Sequence, residues 1–426
     1  MNLRRKAASS ARILTGFARF GGLAVLLGSA FRLWGSVPSG DYLTDVWTAD
    51  DGLPDSSVTA VAQTPDGYLW VGTYHGLARF DGLRFVTFDP ANTPALANAR
   101  VDSLTVDTHG TLWINTFDGS MTSLRQGTFA REWTGSEGPG LDQNIALVSS
   151  RSNQVAFLLP QGFLRHKPQS RPAGTGWVDS ILTTRVAGWQ CVEDGKGTIW
   201  FRDLAKHIHQ LVGTNLEVMP SGAETGLGPA NWLVTDPGGQ LWVGTDRGIA
   251  VWNGTRFEDA TPTNSESPVK VEFLSVGEDG GLWAVANGSV RKAMGRRWVL
   301  EAASLTNMLS GNFSRFRGLG DHHGGVWLYD YGGGLAHVAA GGQAQQFSPE
   351  ENFPGDRVTC LFEDREGNWW AGLDPGGLVR ICNRRFEVVI TGAPASRTQA
   401  KSICQETNGT LWIATMGDGL ARAEGG

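Results

Sequence analysis

Long apolar runs are scarce in this chain. The run at 20–31 (FGGLAVLLGSAF) has twelve residues, too few for a bilayer-spanning helix, which needs about 20. Cysteine is also scarce. Cys191, Cys360, Cys382 and Cys404 lie far apart with no C-x-x-C pair, which excludes thiol metal sites and dithiol redox motifs. Three of them sit in apolar strand-like runs and read as buried thiols, although an exported chain could form disulfides. Positive charge is not in excess. The formal net charge is −6 and the pI about 5.8, so no global field attracts nucleic acid. Pro-rich, Gln-rich and single-charge blocks are missing, which argues against low-complexity disorder. No G-x-S-x-G elbow, Walker loop or Cys/His metal spacing occurs, and no cofactor or metal is implied.

Glycine and tryptophan are abundant, at 58 and 17 residues. Together with the shortage of apolar helical runs, they predict many short strands joined by tight turns. Only the first 38 residues differ. Arg4, Arg5, Lys6, Arg12 and Arg19 precede the apolar run, the order of a secretory signal. Gly28 and Ala30, or Gly35 and Ser36, are small enough to mark cleavage. Arg32 disfavours export as a cleaved signal, so an N-terminal anchor stays open as the second reading of 1–38.

One motif recurs along the rest. Residues 66–82 read DGYLWVGTYHGLARFDG, and equivalents surround Trp113, Trp200, Trp242, Trp283, Trp327, Trp370 and Trp412. Neighbouring Trp residues are 41–44 apart, except for a double step of 87 between Trp113 and Trp200. At its midpoint Phe157 replaces Trp in a degenerate unit. A repeat of this length with strand character predicts an all-β propeller of four-stranded blades. In the first unit, strands a to d fall at about 57–63, 68–73, 77–80 and 84–88. A Gly stands three residues before the Trp in every regular unit, where a tight turn needs positive φ. The eight Trp residues at one repeat position read as core wedges between blades, each burying roughly 150–250 Å². The following Gly-Thr, as at Gly72-Thr73, fits close sheet contact with a hydroxyl free for a backbone bond.

Residues 42–48 (YLTDVWT) look like a strand d with no a–c before it, and would complete the last blade of a ring. Nine units exceed the usual blade range of roughly 4–8. The expectation is a seven-bladed ring at 39–350, with repeats at 351–426 starting a second, truncated propeller or adding further blades. Eight blades and a remnant is the alternative.

These residues carry a resemblance. The stretch WTADDGLPDSSVTAVAQTPDGYLWVGTYHGLARFDGLRF, and the later unit VTCLFEDREGNWWAGLDPGGLVRICNRRF, resemble the two-component regulator propeller repeats of periplasmic sensor regions in bacterial sensor histidine kinases. The likeness covers about 41–424. It implies an exported, periplasmic ligand-sensing module whose ligand is a small polar molecule, an oligosaccharide among them. In that family a β-sandwich, a membrane helix and a kinase follow, so kinase activity is expected of other domains and this chain is expected to be no enzyme. Membrane attachment would come only through the N-terminal segment or a downstream helix.

The repeat also sorts the loops. The a–b and c–d turns on one rim are regular, whereas the b–c and d–a loops on the other rim differ between units. Divergent loops on a rigid scaffold are where binding groups are placed. The b–c candidates are Tyr74, His75, Phe117, Asp118, Asp246, Arg247, Tyr329, Asp330 and Tyr331, with Asp418 in the last unit. Aromatic rings beside carboxylates and an Arg suit a sugar or another polar ligand. A ligand there would shift blade contacts or the geometry of a homodimer. His207 and His209 alternate along one strand face, but no third metal ligand accompanies them. Asp321-His322-His323 reads as a surface turn and Asp364-Arg365-Glu366 as a charged turn with a local ion pair. Two other functions compete: a secreted scaffold or lectin-like binder (or a gene fragment), and a propeller lyase or hydrolase resembling the streptogramin lyases.

Overall fold

The computed structural model describes residues 42–134, 146–149, 155–159, 163–166, 178–181, 186–203, 205–212, 215–219, 227–266, 268–304, 317–330, 334–347, 353–355, 357–383, 400–406, 410–415 and 420–423. The 1–38 leader, Tyr331 and Asp418 lie outside them.

The chain is an all-β propeller. Each unit forms an antiparallel meander in the order a-b-c-d, and the described residues hold eight four-stranded sheets and one of three strands. We number the blades by residue range: blade 1, 58–88; blade 2, 101–133; blade 3, 146–181; blade 4, 186–218; blade 5, 230–259; blade 6, 271–304; blade 7, 317–347; and blade 8, 358–383. The degenerate unit around Phe157 is a full sheet, blade 3.

Blade 8 has only three strands of its own. Its fourth is Tyr42–Trp47, which pairs antiparallel with Gly377–Asn383, Tyr42 opposite Asn383 and Trp47 opposite Leu378. The early strand d predicted at 42–48 therefore closes a blade, but the seven-bladed ring ending near residue 350 is corrected. Because the chain start is anchored in the 358–383 sheet, that unit stands between blades 7 and 1. Thr359 Oγ1 donates to the Val58 carbonyl of blade 1 (2.6 Å), and Trp327 of blade 7 stacks near Trp369 at 5.1 Å. The unit at 358–383 thus belongs to the first propeller; a three-stranded sheet, 400–423, follows it.

The repeat residues act through geometry. The Gly three before each Trp has φ of 75–90° at Gly67, Gly110, Gly197, Gly239, Gly280, Gly324 and Gly367, a region disfavoured for other residues. The strand-b Gly is needed for contact between blades. A Cβ on Gly72, Gly244 or Gly372 would sit 2.7 Å from a Cγ1 of Val101, Val271 or Val58, the first strand-a residue of the next blade. The Thr after it closes the b–c loop, with Thr73 Oγ1 donating to the Gly76 carbonyl at 2.8 Å and Thr245 Oγ1 to that of Gly248 at 2.9 Å.

Trp70, Trp113, Trp200, Trp283, Trp327 and Trp370 are buried, and Trp242 and Trp412 half-buried. Trp70, Trp200 and Trp370 each sit in a cluster that includes the next blade. Burial obliges the indole N–H to find an acceptor. In six units it donates to the residue six earlier, at the start of the a–b turn: Asp107, Asp194, Asp236, Asp364, Glu406, and Thr64 in blade 1, whereas Trp283 donates to the Gly324 carbonyl of the next blade. Truncating such a Trp to Ala is expected to cost about 3–5 kcal/mol.

Two of these turns each hold a buried acid, although His322, His323, Arg365 and Glu366 are exposed. Asp321 is buried and bound by His337 of its own blade (Nε2 to Oδ2, 2.6 Å). In the 364–366 turn, Asp364 takes the Trp370 indole, while Arg365 N–H and Glu366 reach Gln63 of blade 1. The described cysteines form no disulfide; Cys404 is exposed and the others half-buried.

Candidate functional site

Backbone bonds bring two columns of side chains together on the b–c rim. The first residue after strand b donates its N–H to the carbonyl of the residue just before strand a. Tyr74 pairs so with Ser57, Phe117 with Arg100, Asp246 with Pro229, Asn287 with Lys270, and Asp374 with Arg357, all at 3.0–3.3 Å. The loop column and the column thirteen residues before the Trp are therefore neighbours in every one of these blades.

Across blades 8, 1 and 2 these columns form one continuous set of contacts. Arg357 Nη1 lies 4.0 Å from Asp374 Oδ2. The Tyr74 hydroxyl donates to the same Asp374 oxygen at 2.8 Å. The Arg100 guanidinium carbon lies 4.4 Å from the Tyr74 ring centre and 4.2 Å from that of Phe117. Its Nε donates to Asp102 Oδ1 at 3.1 Å. Burial raises the Asp102 carboxyl above the usual range, Arg100 opposes this, and Asp118 adds to it. Phe117 remains 42% exposed. The result is a cation clasped by two aromatic rings, with an open ring face and carboxylates beside it. Such a surface can stack a ring and hydrogen-bond its substituents.

A second polar set spans blades 4 to 6. Asn231 Nδ2 donates to Asp246 Oδ1 (2.8 Å), and Lys206 Nζ donates to Asn231 Oδ1 (2.6 Å). Lys270 Nζ donates to Glu272 Oε1 (2.6 Å), and this bond raises the Lys270 pKa. These groups satisfy one another, and Arg247 beside them is exposed.

The predicted residues thus divide. Tyr74 and Phe117 meet through Arg100. His75 instead pairs with Asp55 through Nδ1 and is otherwise exposed. Burial would raise the Asp55 carboxyl, but bonds from Ser57 and His75 outweigh it and lower the pKa. Asp118 holds its own loop, accepting from Thr116 Oγ1 at 2.7 Å and Ser120 Oγ at 3.0 Å. Tyr329 and Asp330 are not loop residues: strand b of blade 7 runs Val326–Asp330. Blade 7 has Tyr329 where blades 1, 5 and 8 have Gly, and the ring packs against the core. Burial pushes its hydroxyl up to about 12. Asp330 is buried as well. His207 and His209 share Asp203 Oδ2, at 3.1 and 3.0 Å. Among the described residues no three acidic, His or Cys side chains group as a metal site.

Arg100, Asp102, Arg357 and Asp374 were not predicted. Aligning the units on their Trp would have exposed Arg100 and Arg357, since the position thirteen residues earlier reads Ser, Arg, Pro, Lys and Arg in blades 1, 2, 5, 6 and 8.

Residues 52–75 and 352–374 match the two component regulator propeller family. The chain therefore carries repeats of this type in blades 1 and 8. No curated protein matches the sequence. Among solved structures, BamB from Moraxella catarrhalis is 12% identical with a TM-score of 0.51, covering 81% of this chain and 98% of that one. The extracellular domain of a putative hybrid two component system from B. thetaiotaomicron is 17% identical with a TM-score of 0.41. That match covers 88% of this chain, which spans 58% of the domain's length. A streptogramin B lyase is 14% identical with a TM-score of 0.45, covering 80% and 98%.

Proposed function

We propose that this chain is the extracytoplasmic ligand-sensing propeller of a two-component sensor, and that a small polar ligand such as an oligosaccharide binds the b–c rim at blades 8, 1 and 2. It acts by binding and not by catalysis, with kinase output belonging to separate domains. The observation that carries this reading is the Arg357–Asp374–Tyr74–Arg100–Phe117 contact set. Its members come from sequence positions about 300 apart, on either side of the point where the chain start closes the propeller. A ligand bound there touches both ends of the ring at once and can alter how they meet. The two-component propeller repeats at 52–75 and 352–374 occupy the same two blades and support the sensor assignment.

The test is a thermal-shift screen of oligosaccharides, followed by calorimetric titration. A ligand that stabilises the chain should bind about tenfold or more weakly to Arg100→Met and to Phe117→Ala. If no oligosaccharide stabilises the chain, or if both variants bind as the parent does, the assignment fails.

A further inference from the structure

The groove between blades 8 and 1 and the groove between blades 1 and 2 are built from the same four repeat positions. In the 8–1 groove they are Trp370 and Trp47 of blade 8, with Phe80 and Phe85 of blade 1. The rings fill the space: Trp47 stacks on Trp370 at 5.5 Å, Trp47 meets Phe80 at 5.1 Å, and Phe80 stacks on Phe85 at 4.5 Å. In the 1–2 groove the same positions hold Trp70 and Phe88 of blade 1, with Leu124 and Phe129 of blade 2. Strand register fixes the equivalence: Trp47 and Phe88 face Leu378 and Leu77, while Phe85 and Phe129 face Phe80 and Leu124. Two fillers are therefore smaller, Phe for Trp and Leu for Phe. A cleft of about 440 Å³ opens where the volume is missing, floored by these residues. That lies within the roughly 300–1,000 Å³ typical of small-molecule sites.

The charges differ in step. In the 8–1 groove, Arg380 stands opposite Trp370 and is held by Asp45 on the adjoining strand (Nη2 to Oδ2, 2.6 Å). The equivalent Arg79 stands opposite Trp70, but its cross-strand neighbour is Val86. Its guanidinium lies instead 4.3 Å over the Tyr68 ring, with no carboxylate bound among the described residues. One residue past the c-strand filler, Asp81 of the 8–1 groove becomes Arg125, which is exposed and lines the cleft. His109 adds a third nitrogen donor. The one acid lining the cleft, Asp66, is engaged by Thr64 Oγ1 at 2.5 Å and by Tyr68 N–H.

We propose that the 1–2 groove is a binding site for a small aromatic carboxylate. The ring would lie on the Trp70, Phe88 and Phe129 floor beside Leu124, and the carboxylate would meet Arg79 and Arg125. Guanidinium groups bind planar carboxylates through paired N–H donors, and an aromatic floor beside two guanidiniums favours an anion that carries a ring. The site lies on the rim of the a–b and c–d turns, opposite the b–c loops.

Isothermal titration calorimetry of the full chain with 3-phenylpropionate and indole-3-acetate tests this, with 3-phenylpropanol as the neutral probe. Both carboxylates should bind, and 3-phenylpropionate at least about tenfold more tightly than the alcohol. Leu124→Phe restores the residue of the filled groove. It should weaken the carboxylates about tenfold or more while the melting midpoint holds or rises. Arg79→Gln with Arg125→Gln should bring acid and alcohol to equal affinity. The proposal is overturned if neither carboxylate binds at millimolar concentration, if the alcohol binds equally well to the parent, or if Leu124→Phe binds undiminished.

Discussion

Blade 8 has two neighbours, and its two seams are made of different chemistry. On the seam with blade 1 the groups that reach across at its core are a neutral hydroxyl and a neutral amide. Thr359 Oγ1 donates to the Val58 carbonyl, and Gln63 reaches across with both amide atoms, Oε1 accepting from Arg365 N–H at 3.0 Å and Nε2 donating to Glu366 at 3.3 Å. The seam with blade 7 is titratable. The Tyr42 hydroxyl and His337 Nδ1 are 2.9 Å apart, His337 Nε2 meets Asp321 at 2.6 Å, and His322 Nδ1 lies 3.0 Å from Glu363. Glu363 and Gln63 occupy the same repeat position, the last residue of strand a. One template position thus carries an amide on one side of blade 8 and a carboxyl on the other.

The largest expected effect is at the titratable seam. In blades 2, 4, 5 and 8 an a–b turn Asp accepts the Trp indole; in blade 7 His337 takes Asp321, and the Trp327 indole N–H has no partner among the described residues. His337→Ala would strand the buried Asp321 carboxylate and remove the acceptor of Tyr42 on the closing strand. A loss of about 3 kcal/mol in urea unfolding is expected; a loss below about 1 kcal/mol would mean that the Tyr42–His337–Asp321 contacts do little to hold the strand. Burial raises the Asp321 carboxyl, but His337 and the turn N–H groups outweigh it and lower the pKa. Its contribution is therefore present above the ordinary value of 3.8 and is lost as pH falls through the lowered one.

Glu363→Gln, which copies Gln63, comes next. Burial pushes the Glu363 carboxyl up to about 7, and the charges of Asp321, Glu278 and Asp364 add to the rise against a bond from His322 N–H. The unfolded chain releases this proton near the ordinary value of 4.5, so the folded state holds it longer. Stability then falls as pH rises from about 4.5 to about 7 and levels above that. The amide should remove this slope and exceed the parent at pH 8 by on the order of 1–2 kcal/mol. Denaturant titrations at pH 5, 6, 7 and 8 read both. An unchanged slope would assign the titration to another group.

The difference between the seams also marks how far the residues alone could be read. The nine repeat units, the turn glycines and the Trp wedges are legible because each repeats the same local requirement. The strand at 42–48 was legible as an orphan, but its partner was not: pairing Tyr42 with Asn383 is a contact over the whole ring, and no local pattern encodes it. The same holds for the candidate site. Tyr74 and Phe117 stood out as divergent loop residues, yet Asp374, which anchors the Tyr74 hydroxyl, becomes a neighbour only through closure. Tyr329 misled because blade 7 lacks the Gly-Thr that fixes loop register, so a core residue was counted as rim. Asp321 misled because a turn sequence says nothing of the His337 that folds against it.

The smallest effect should come from the neutral seam. Thr359 Oγ1 donates to Val58 at 2.6 Å with the Gly372 carbonyl also at 3.0 Å, and the equivalent Thr59 donates to Val101 at 2.6 Å. In blade 5 the position is Asn231, whose amide reaches the Val271 carbonyl at 3.0 Å. A hydroxyl has one proton, so a single cross-blade bond is at stake. Thr359→Val keeps the shape and removes the donor, and should cost about 1 kcal/mol. Thr359→Ser should keep most of the bond. Neither substitution touches an ionisable group, so the loss should be the same at pH 5 and pH 8. A pH-dependent loss would show that the two seams of blade 8 are coupled, and that titration at Glu363 is felt across the whole blade.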